Sequence, residues 1–326
     1  MPTERTLDPA AADIAAGLGL PVSATEWLAE LSAARPVGPT RLPADGPARA
    51  LLTRMRVPEH DIAEALAARP DRDPRLRWLL DRCRALLAER LGSLDPLAPW
   101  PDLPSGLGAV GRFFYLWLFV AAAPDLLAYH AAHGVPEPVS NDTLADVGAK
   151  TALHRRTHGV GGLDKQDWFT LHFRGLLYAL GRLQFNMARL EAGLPGWPAG
   201  TGYLGVHIPE AGPMAPADCD SSFAAAPGFF ARHFGIRYRV AVCTSWLLDE
   251  QLTEYLPAGS NIVRFQQRFH RTDARWDGDD TIIEFVFRRT DPDLAELPQD
   301  TTLQRAVVSH LRSGRHWQVR SGWLDL

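Results

Sequence analysis

Lysine is scarce in this sequence: Lys150 and Lys165 stand alone among 34 basic residues. Both lie in polar, helix-like surroundings, whereas a Schiff-base lysine needs an apolar pocket, so a pyridoxal enzyme is not expected. The preference for arginine, together with abundant Ala, Leu and Pro, is typical of a GC-rich bacterial genome. A net charge of -4 and a pI near 6.3 argue against binding nucleic acid through phosphate neutralisation. Small molecules are the expected partners.

Cysteine and membrane-type segments are also sparse. Cys83, Cys219 and Cys243 form an odd, widely spaced set, which predicts neither a disulfide framework nor a paired-cysteine zinc site. The N-terminus lacks a basic start followed by an apolar core, so no signal peptide is indicated. The longest apolar run, residues 113–123, is too short to cross a bilayer, which takes about 20 residues. We therefore expect a cytoplasmic protein without a membrane partner, and the oligomeric state stays open.

The length of 326 residues and the 46% hydrophobic content predict two domains. Helical signals dominate residues 1–159, as in "DPRLRWLLDRCRALLAERLG", where Asp73 is a plausible cap and a leucine stripe follows. In residues 160–326, helical segments alternate with short strand-like ones, and "YRVAVCTSW" is apolar on both faces, as in a central strand. The expected fold class is α+β: an all-helical N-terminal domain followed by a mixed β-sheet flanked by helices.

Several boundaries follow from local patterns. The segments "NIVRFQQRFHRT" and "TIIEFVFRR" alternate apolar and polar residues around the turn signal Asp277-Gly278, which predicts a β-hairpin. Helices are predicted for "DKQDWFTLHFRGLLYALGRL", "DCDSSFAAAPGFFARHFG", "LLDEQLTEYL" and "TTLQRAVVSHLRSG".

One strand end carries chemistry. The apolar run at residues 203–208 meets Pro209, which has no N–H, so strand pairing stops there and the strand can part from its neighbour. Gly212 lets the following loop approach a ligand. The helix after it presents N–H groups and a positive dipole end, which attract phosphate, although Asp218 and Asp220 in its first turn oppose that charge.

His207 and Glu210 at this strand end are candidate bases. An imidazole can take a proton at neutral pH, directly or through a water, and a partly buried glutamate can be tuned to do the same. A lone histidine is at least as often a hydrogen-bonded member of the sheet. The corner could also be an ordinary strand-loop-helix junction stiffened by proline, so both interpretations remain open.

The stretches "HIPEAGPMAPADCDSSF", "VCTSWLLDEQLTEYLPAGSNIVRFQQRF" and "DTTLQRAVVSHLRSGRHW" resemble a bacterial acyltransferase family with a helical N-terminal domain and a GNAT-like C-terminal domain. The resemblance covers most of the chain and is densest over residues 203–317. It implies that residues 160–326 form a GNAT-like domain. It also implies an enzyme that moves an acyl group from acyl-CoA, its co-substrate, to an amine of a small molecule by direct attack.

Site residues follow from the same resemblance. Tyr255 falls where many GNAT enzymes keep a tyrosine that protonates the departing thiolate, although it also lies on a leucine stripe typical of core packing. Ser245 could contact the thioester or cap the next helix. Coenzyme contacts are expected at Val206, Ile208, Gly212, Ser260 and Asn261, the last two being candidates for turn and cap roles as well.

Two positions depart from the family pattern. The loop that usually carries a glycine-rich pyrophosphate signature supplies only Gly212. Thr244 stands where relatives often have a histidine before the Ser-Trp pair.

Alternatives remain. A Cys243/His207 acyl-enzyme, as in a transferase or hydrolase, would use an imidazole-activated thiolate, but a thiol inside an apolar strand is usually inert. A non-catalytic acyl-CoA sensor would keep the fold without the chemistry. His154 and His158 have a metal-compatible spacing, yet two arginines separate them and no ligating carboxylate follows, so no metal is expected.

Overall fold

The computed structural model describes residues 7–210, 212–290 and 292–326 and divides into two compact units between Tyr178 and Ala179. From the sequence, we predicted that the two domains divide after residue 159. The first unit contains eight helices within its described residues: α1 (Pro9–Leu18), α2 (Thr25–Ala33), α3 (Asp45–Arg54), α4 (Glu59–Ala67), α5 (Pro74–Glu89), α6 (Gly108–Ala132), α7 (Glu137–His158) and α8 (Gln166–Phe173).

Local cap chemistry explains where these helices begin and end. Asp73 caps α5 by accepting a hydrogen bond from the backbone N–H of Arg75 at 2.8 Å, and Pro74 occupies the first helical position. Gly159 ends α7 in the left-handed conformation (φ 73°). Both ends agree with the prediction.

The core of the first unit gathers around α6, whose central residues are buried on all sides, as in the stacked pair Phe119–Phe173 with ring centroids 4.5 Å apart. Among the described residues, this is the one helix long and apolar enough to cross a membrane, but 67% of its most apolar window is buried inside the protein. Such burial is typical of the central helix of a water-soluble bundle.

The second unit is built on a mixed six-stranded sheet flanked by helices, so the chain is α+β as expected. The strand order is β1-β2-β3-β4-β6-β5. The strands are β1 (Leu177–Leu180), β2 (Leu183–Arg189), β3 (Gly202–His207), β4 (Val240–Ser245), β5 (His270–Asp277) and β6 (Gln318–Asp325), and the helices are α9 (Pro216–Phe234), α10 (Asn261–Gln266), α11 (Asp279–Phe287) and α12 (Thr302–Arg312).

The predicted hairpin around Asp277-Gly278 is wrong. The first segment forms α10 and β5, and the second forms α11, whose residues Ile282, Ile283 and Phe287 are buried on one helical face. Gly278 has a φ of -123°, and its Cβ position would lie 2.7 Å from the backbone carbonyl carbon of Gln318. The glycine is required for close packing against β6 and not for a tight turn.

Three other boundaries differ from the sequence patterns. The predicted helix from residue 164 to 183 stops at Phe173, and its last part is strand β1. The segment "LLDEQLTEYL" forms two short 3₁₀ turns, Trp246–Leu248 and Glu250–Glu254, capped by Ser245 and Asp249. The prediction also missed β6, although this strand pairs with both β4 and β5 and completes the sheet.

Candidate active site

Strands β3 and β4 run parallel and then part. Leu204 pairs with Ala241 and Gly205 with Val242, and the described register between the two strands goes no further. Each strand continues on its other side, because Val206 and His207 still pair with β2, and β4 still pairs with β6 as far as Ser245. The result is a V-shaped opening whose β3 side consists of Val206, His207 and the following Ile208. This is the splayed strand edge that the sequence predicted.

His207 is held at this opening by Asn186 on β2. The Oδ1 of Asn186 lies 2.7 Å from the Nε2 of His207, and its Nδ2 donates to the carbonyl of Met187 at 3.2 Å. Because that carbonyl can only accept, the amide orientation is set and Oδ1 must accept from His207. The neutral imidazole therefore carries its proton on Nε2 and its lone pair on Nδ1.

Gly205 makes this contact possible. Asn186 pairs directly with Gly205 across the strands, and a Cβ at position 205 would lie 2.1 Å from the Asn186 Oδ1. Any side chain there would displace the amide that crosses the strand to reach His207. Asn186 is a positioning residue that sequence analysis missed, and its signals were an asparagine inside an apolar strand and a glycine two residues before the histidine.

His207 and Cys243 lie on opposite faces of the sheet. Side chains alternate along a strand, so His207 shares a face with Gly205 and Val242, whereas Cys243 shares the opposite face with Val206. The thiol of Cys243 is fully buried, and burial raises its pKa to about 12. A Cys243/His207 acyl-enzyme therefore has neither the geometry nor the thiolate that it needs.

A guanidinium holds the loop after β3. Arg182, in the β1–β2 turn, donates from Nη1 to the carbonyl of Pro209 at 3.0 Å, from Nη2 to that of Gly212 at 3.1 Å and from Nε to that of Pro213 at 3.0 Å. Gly212 has a φ of 68°, where glycine is favoured. Partial burial lowers the pKa of Arg182. Among its described residues this loop has a single glycine, Gly212. The hydrogen bonds from Arg182 therefore shape the loop in place of a glycine-rich sequence.

The N-terminus of α9 faces the end of this loop. Pro216 is its first residue and no side chain caps it. Asp220 is paired with Arg268, whose Nη2 lies 2.6 Å from the Asp220 Oδ1 and 3.1 Å from the carbonyl of Pro216. The charge expected to repel a phosphate is therefore compensated at Asp220, although Asp218 remains in the first turn. With Asp220 compensated in this way, the positive end of the α9 dipole is the feature that favours an anionic ligand.

Glu210 forms an ion pair with Arg288, which follows α11 in the left-handed conformation (φ 60°). The Glu210 side chain is 19% exposed. The guanidinium of Arg288 occupies the Glu210 carboxylate, which is therefore less available to a substrate amine. This geometry favours His207 over Glu210 as the base.

Tyr255 follows the second 3₁₀ turn, and its hydroxyl lies 3.0 Å from the Nδ1 of His310 on α12. The His310 Nε2 lies 3.3 Å from the carbonyl of His316, which can only accept. Nε2 therefore carries the proton, and Nδ1 accepts from the tyrosine. Tyr255 packs in the same apolar cluster as Ile208, the residue that follows His207.

Two of the remaining predicted contacts, Ser245 and Ser260, are helix caps. Ser245 Oγ accepts from the backbone N–H of Leu247 at 3.1 Å, and Ser260 Oγ accepts from that of Val263 at 3.3 Å. Asn261 is the first residue of α10. Caps of this kind satisfy N–H groups that would otherwise lack a partner, so a structural role accounts for both serines.

Comparison with known proteins agrees with this geometry. The N-acyltransferase N-terminal domain matches residues 47–175, and the GNAT-like C-terminal domain matches residues 177–324. The splayed sheet and the matches of the chain to these two domains together define an acyltransferase of the GNAT-like class. A search of the curated proteins found no match.

Solved structures extend the similarity over nearly the whole chain. An acyltransferase in complex with decanoyl-CoA is 43% identical, with a TM-score of 0.90. An acyltransferase in complex with decanoyl-CoA and teicoplanin is 42% identical, with a TM-score of 0.89, and a tryptophan-to-alanine mutant in complex with octanoyl-CoA is 42% identical, with a TM-score of 0.90. Each alignment covers 97% of this chain and 99% of the other. The chain belongs to this acyltransferase family and is an acyltransferase that uses acyl-CoA as co-substrate.

Proposed function

We propose that this enzyme transfers a medium-length acyl group from CoA to an amine of a small-molecule acceptor by direct attack. The observation that carries the proposal is the opening between β3 and β4, with His207 at its end and its lone pair fixed on Nδ1 by Asn186. The similar structures hold octanoyl-CoA, decanoyl-CoA and teicoplanin. A bulky natural product that carries an amine, such as a relative of teicoplanin, is therefore the acceptor class to test first.

The coenzyme is proposed to lie along the opening. The backbone of Val206 and Ile208 offers hydrogen bonds to the pantetheine arm and the thioester carbonyl, as the family resemblance implies. The loop at Gly212 and the N-terminus of α9 receive the pyrophosphate, with Arg268 nearby. Ser260 and Asn261 remain proposed contacts, secondary to their cap positions.

In the reaction, the Nδ1 of His207 takes a proton from the amine, directly or through a water. The amine nitrogen forms a bond to the thioester carbon, the carbon–sulfur bond breaks, and CoA leaves as a thiolate. Tyr255 gives this thiolate a proton and recovers one from solvent, while the imidazolium of His207 releases its proton to solvent. The products are an amide and CoA, and no acyl-enzyme is formed. We propose that the enzyme is bacterial, in line with its composition, and that it acts in the cytoplasm.

A thiol-release assay with octanoyl- and decanoyl-CoA against an amine panel that includes deacylated teicoplanin tests the proposal. We expect CoA release that depends on the amine, together with a product whose mass equals acceptor plus acyl group. Binding of decanoyl-CoA without turnover across the panel would contradict it and favour an acyl-CoA sensor. An acylated protein in the absence of amine would contradict direct attack.

A further inference from the structure

Three potential metal ligands meet at the C-terminal end of α7. His154 and His158 are four residues apart on this helix and lie on one side of it, with ring centroids 4.6 Å apart. The chain reverses at Gly159 and brings Asp164 back, so that its Oδ2 lies 3.2 Å from the Nε2 of His158. The ligand atoms of the three side chains all lie within 4.8 Å of one another. The sequence-based statement that no carboxylate follows the two histidines is corrected by this return of the chain.

His154 is prepared to act as a ligand. Its Nδ1 lies 3.0 Å from the carbonyl of Val160, which can only accept, so Nδ1 carries the proton and Nε2 carries the lone pair. A histidine ligand commonly donates its second ring N–H to a backbone carbonyl, which fixes both the tautomer and the orientation of the ring. The residue is 7% exposed, so its ring is held by its surroundings.

Gly162 packs closely against the ring of His154. A Cβ at position 162 would lie 2.9 Å from the Nε2 of His154 and 2.6 Å from its Cε1. Any side chain at this position would occupy the volume that a metal ion or its bound water needs. The absence of a side chain at residue 162 therefore keeps one obstacle away from the nitrogen of His154 that can coordinate.

The electrostatics are mixed but favour a cation. The site lies at the C-terminal end of a 22-residue helix, whose last carbonyls carry partial negative charge. Asp164 adds a formal negative charge. The positive charge of Arg155 is compensated, because it pairs with Asp61 at 2.6 Å and Glu64 at 2.8 Å. Opposing positive charges are Arg112, which donates to the carbonyl of Gly161 at 2.9 Å, and Arg156 and Lys165, which neighbour the ligands in sequence.

We propose that His154, His158 and Asp164 bind a zinc ion, with water as the fourth ligand. Two imidazoles and a carboxylate suit zinc, whose bonds to these atoms are about 2.0–2.2 Å long. His158 and Asp164 have side chains that are 37% and 29% exposed, so they can adjust toward the fixed His154. The ion would link Asp164, in the segment after α7, to the two histidines on that helix. It stabilises the N-terminal domain and takes no part in acyl transfer.

The test uses the untagged full chain after treatment with a chelator and dialysis. Zinc is titrated by calorimetry, cobalt is added as a spectroscopic probe, and thermal unfolding is followed with and without zinc. We expect one site per chain, visible cobalt bands of tetrahedral intensity and a rise in melting temperature with zinc. His158→Asn and Asp164→Asn should each lower zinc affinity roughly 10-fold or more, whereas His60→Asn on α4 should not.

Circular dichroism of each variant checks that it is folded, which is expected because both altered side chains are partly exposed. Failure of the parent protein to bind zinc at 100 µM, the concentration chosen for the titration, would overturn the proposal. So would unchanged affinity in both variants. A strong cobalt–thiolate absorption would assign the ion to a cysteine and would also overturn it.

Discussion

Asn186 and His207 form a hydrogen bond of 2.7 Å across neighbouring strands, and this contact decides which nitrogen of His207 can act as a base. The amide is itself fixed by the carbonyl of Met187. Orientation of the imidazole is therefore built into the sheet before any substrate arrives. Such preorganisation avoids the cost of fixing the base during the reaction.

His207→Gln should remain folded and bind acyl-CoA, because glutamine can keep one hydrogen bond but cannot carry a proton near neutral pH. We expect turnover to fall roughly 100-fold or more, and the acidic limb of the rate profile to flatten. Glu210→Gln is the matched control, since its carboxylate is engaged by Arg288. Parental turnover and pH dependence in His207→Gln would assign the histidine to structure alone.

Asn186→Asp tests positioning. A carboxylate still accepts from Nε2 but also stabilises the imidazolium, which raises the pKa of the imidazole. The base is then lost at a higher pH, so the acidic limb should move toward higher pH while the KM for acyl-CoA changes little. Asn186→Ala should lower kcat by roughly 10-fold, because the ring loses its fixed orientation. If Asn186→Asp leaves the rate profile where it was, the amide does not act through His207.

How far the sequence could predict this site depends on the range of each interaction. Pro209 ends β3 through its own missing N–H, so the strand end and His207 were predictable from adjacent residues. Asn186 was not, because its contact joins residues 21 positions apart through a gap left by Gly205. The shaping of the loop by Arg182 depends in the same way on the pairing of β2 with β3.

The fold shows the same division. Helix α5 was predictable because Asp73 and Pro74 define its start locally. The run "TIIEFVF" was interpreted as alternating because residues 283, 285 and 287 are apolar, but residues 282 and 286 are apolar too, so the pattern also fits a helix, and tertiary packing decided in favour of α11. Strand β6 depends on distant partners in β4 and β5, which no local pattern reveals.

Arg182→Met should loosen the loop after β3, because three backbone carbonyls lose their shared donor. We expect the KM for decanoyl-CoA to rise roughly 10-fold with a smaller change in kcat, since the loop is proposed to bind the coenzyme and not the reacting atoms. Arg189→Met, on the exposed end of β2, is the matched control. Equal coenzyme affinity in the two variants would remove Arg182 from the coenzyme site.

Gly278→Ala should destabilise the protein by about 1–3 kcal/mol, because the new methyl group would lie 2.7 Å from the carbonyl carbon of Gln318 and 2.8 Å from the backbone nitrogen of Val319. The backbone φ of -123° is open to alanine, so the cost is steric. Gly259→Ala, where nothing lies within 4 Å, should change the melting midpoint little. Similar denaturant midpoints for the two variants would contradict the close packing of residue 278 on β6.

Tyr255→Phe removes the hydroxyl that donates to His310. Burial lowers the pKa of His310, so this imidazole is neutral near pH 7 and leaves the proton on the tyrosine. If that proton goes to the CoA thiolate, the variant should lose roughly 10-fold or more in kcat. Tyr238→Phe, next to Phe230 and away from this pair, serves as the control for loss of a phenol hydroxyl.

Changing the leaving group of the thioester distinguishes a catalytic role of Tyr255 from a packing role in the Tyr255→Phe variant. An aryl thioester releases a thiolate that needs no proton, so it should react with the variant almost as fast as with the parent protein, whereas acyl-CoA should not. A purely structural tyrosine would slow both substrates by the same factor, because damage to the apolar cluster around Ile208 does not depend on the thiol that leaves. Equal losses with the two thioesters would therefore remove Tyr255 from the proton transfer and leave His207 as the remaining proton carrier in the proposed mechanism.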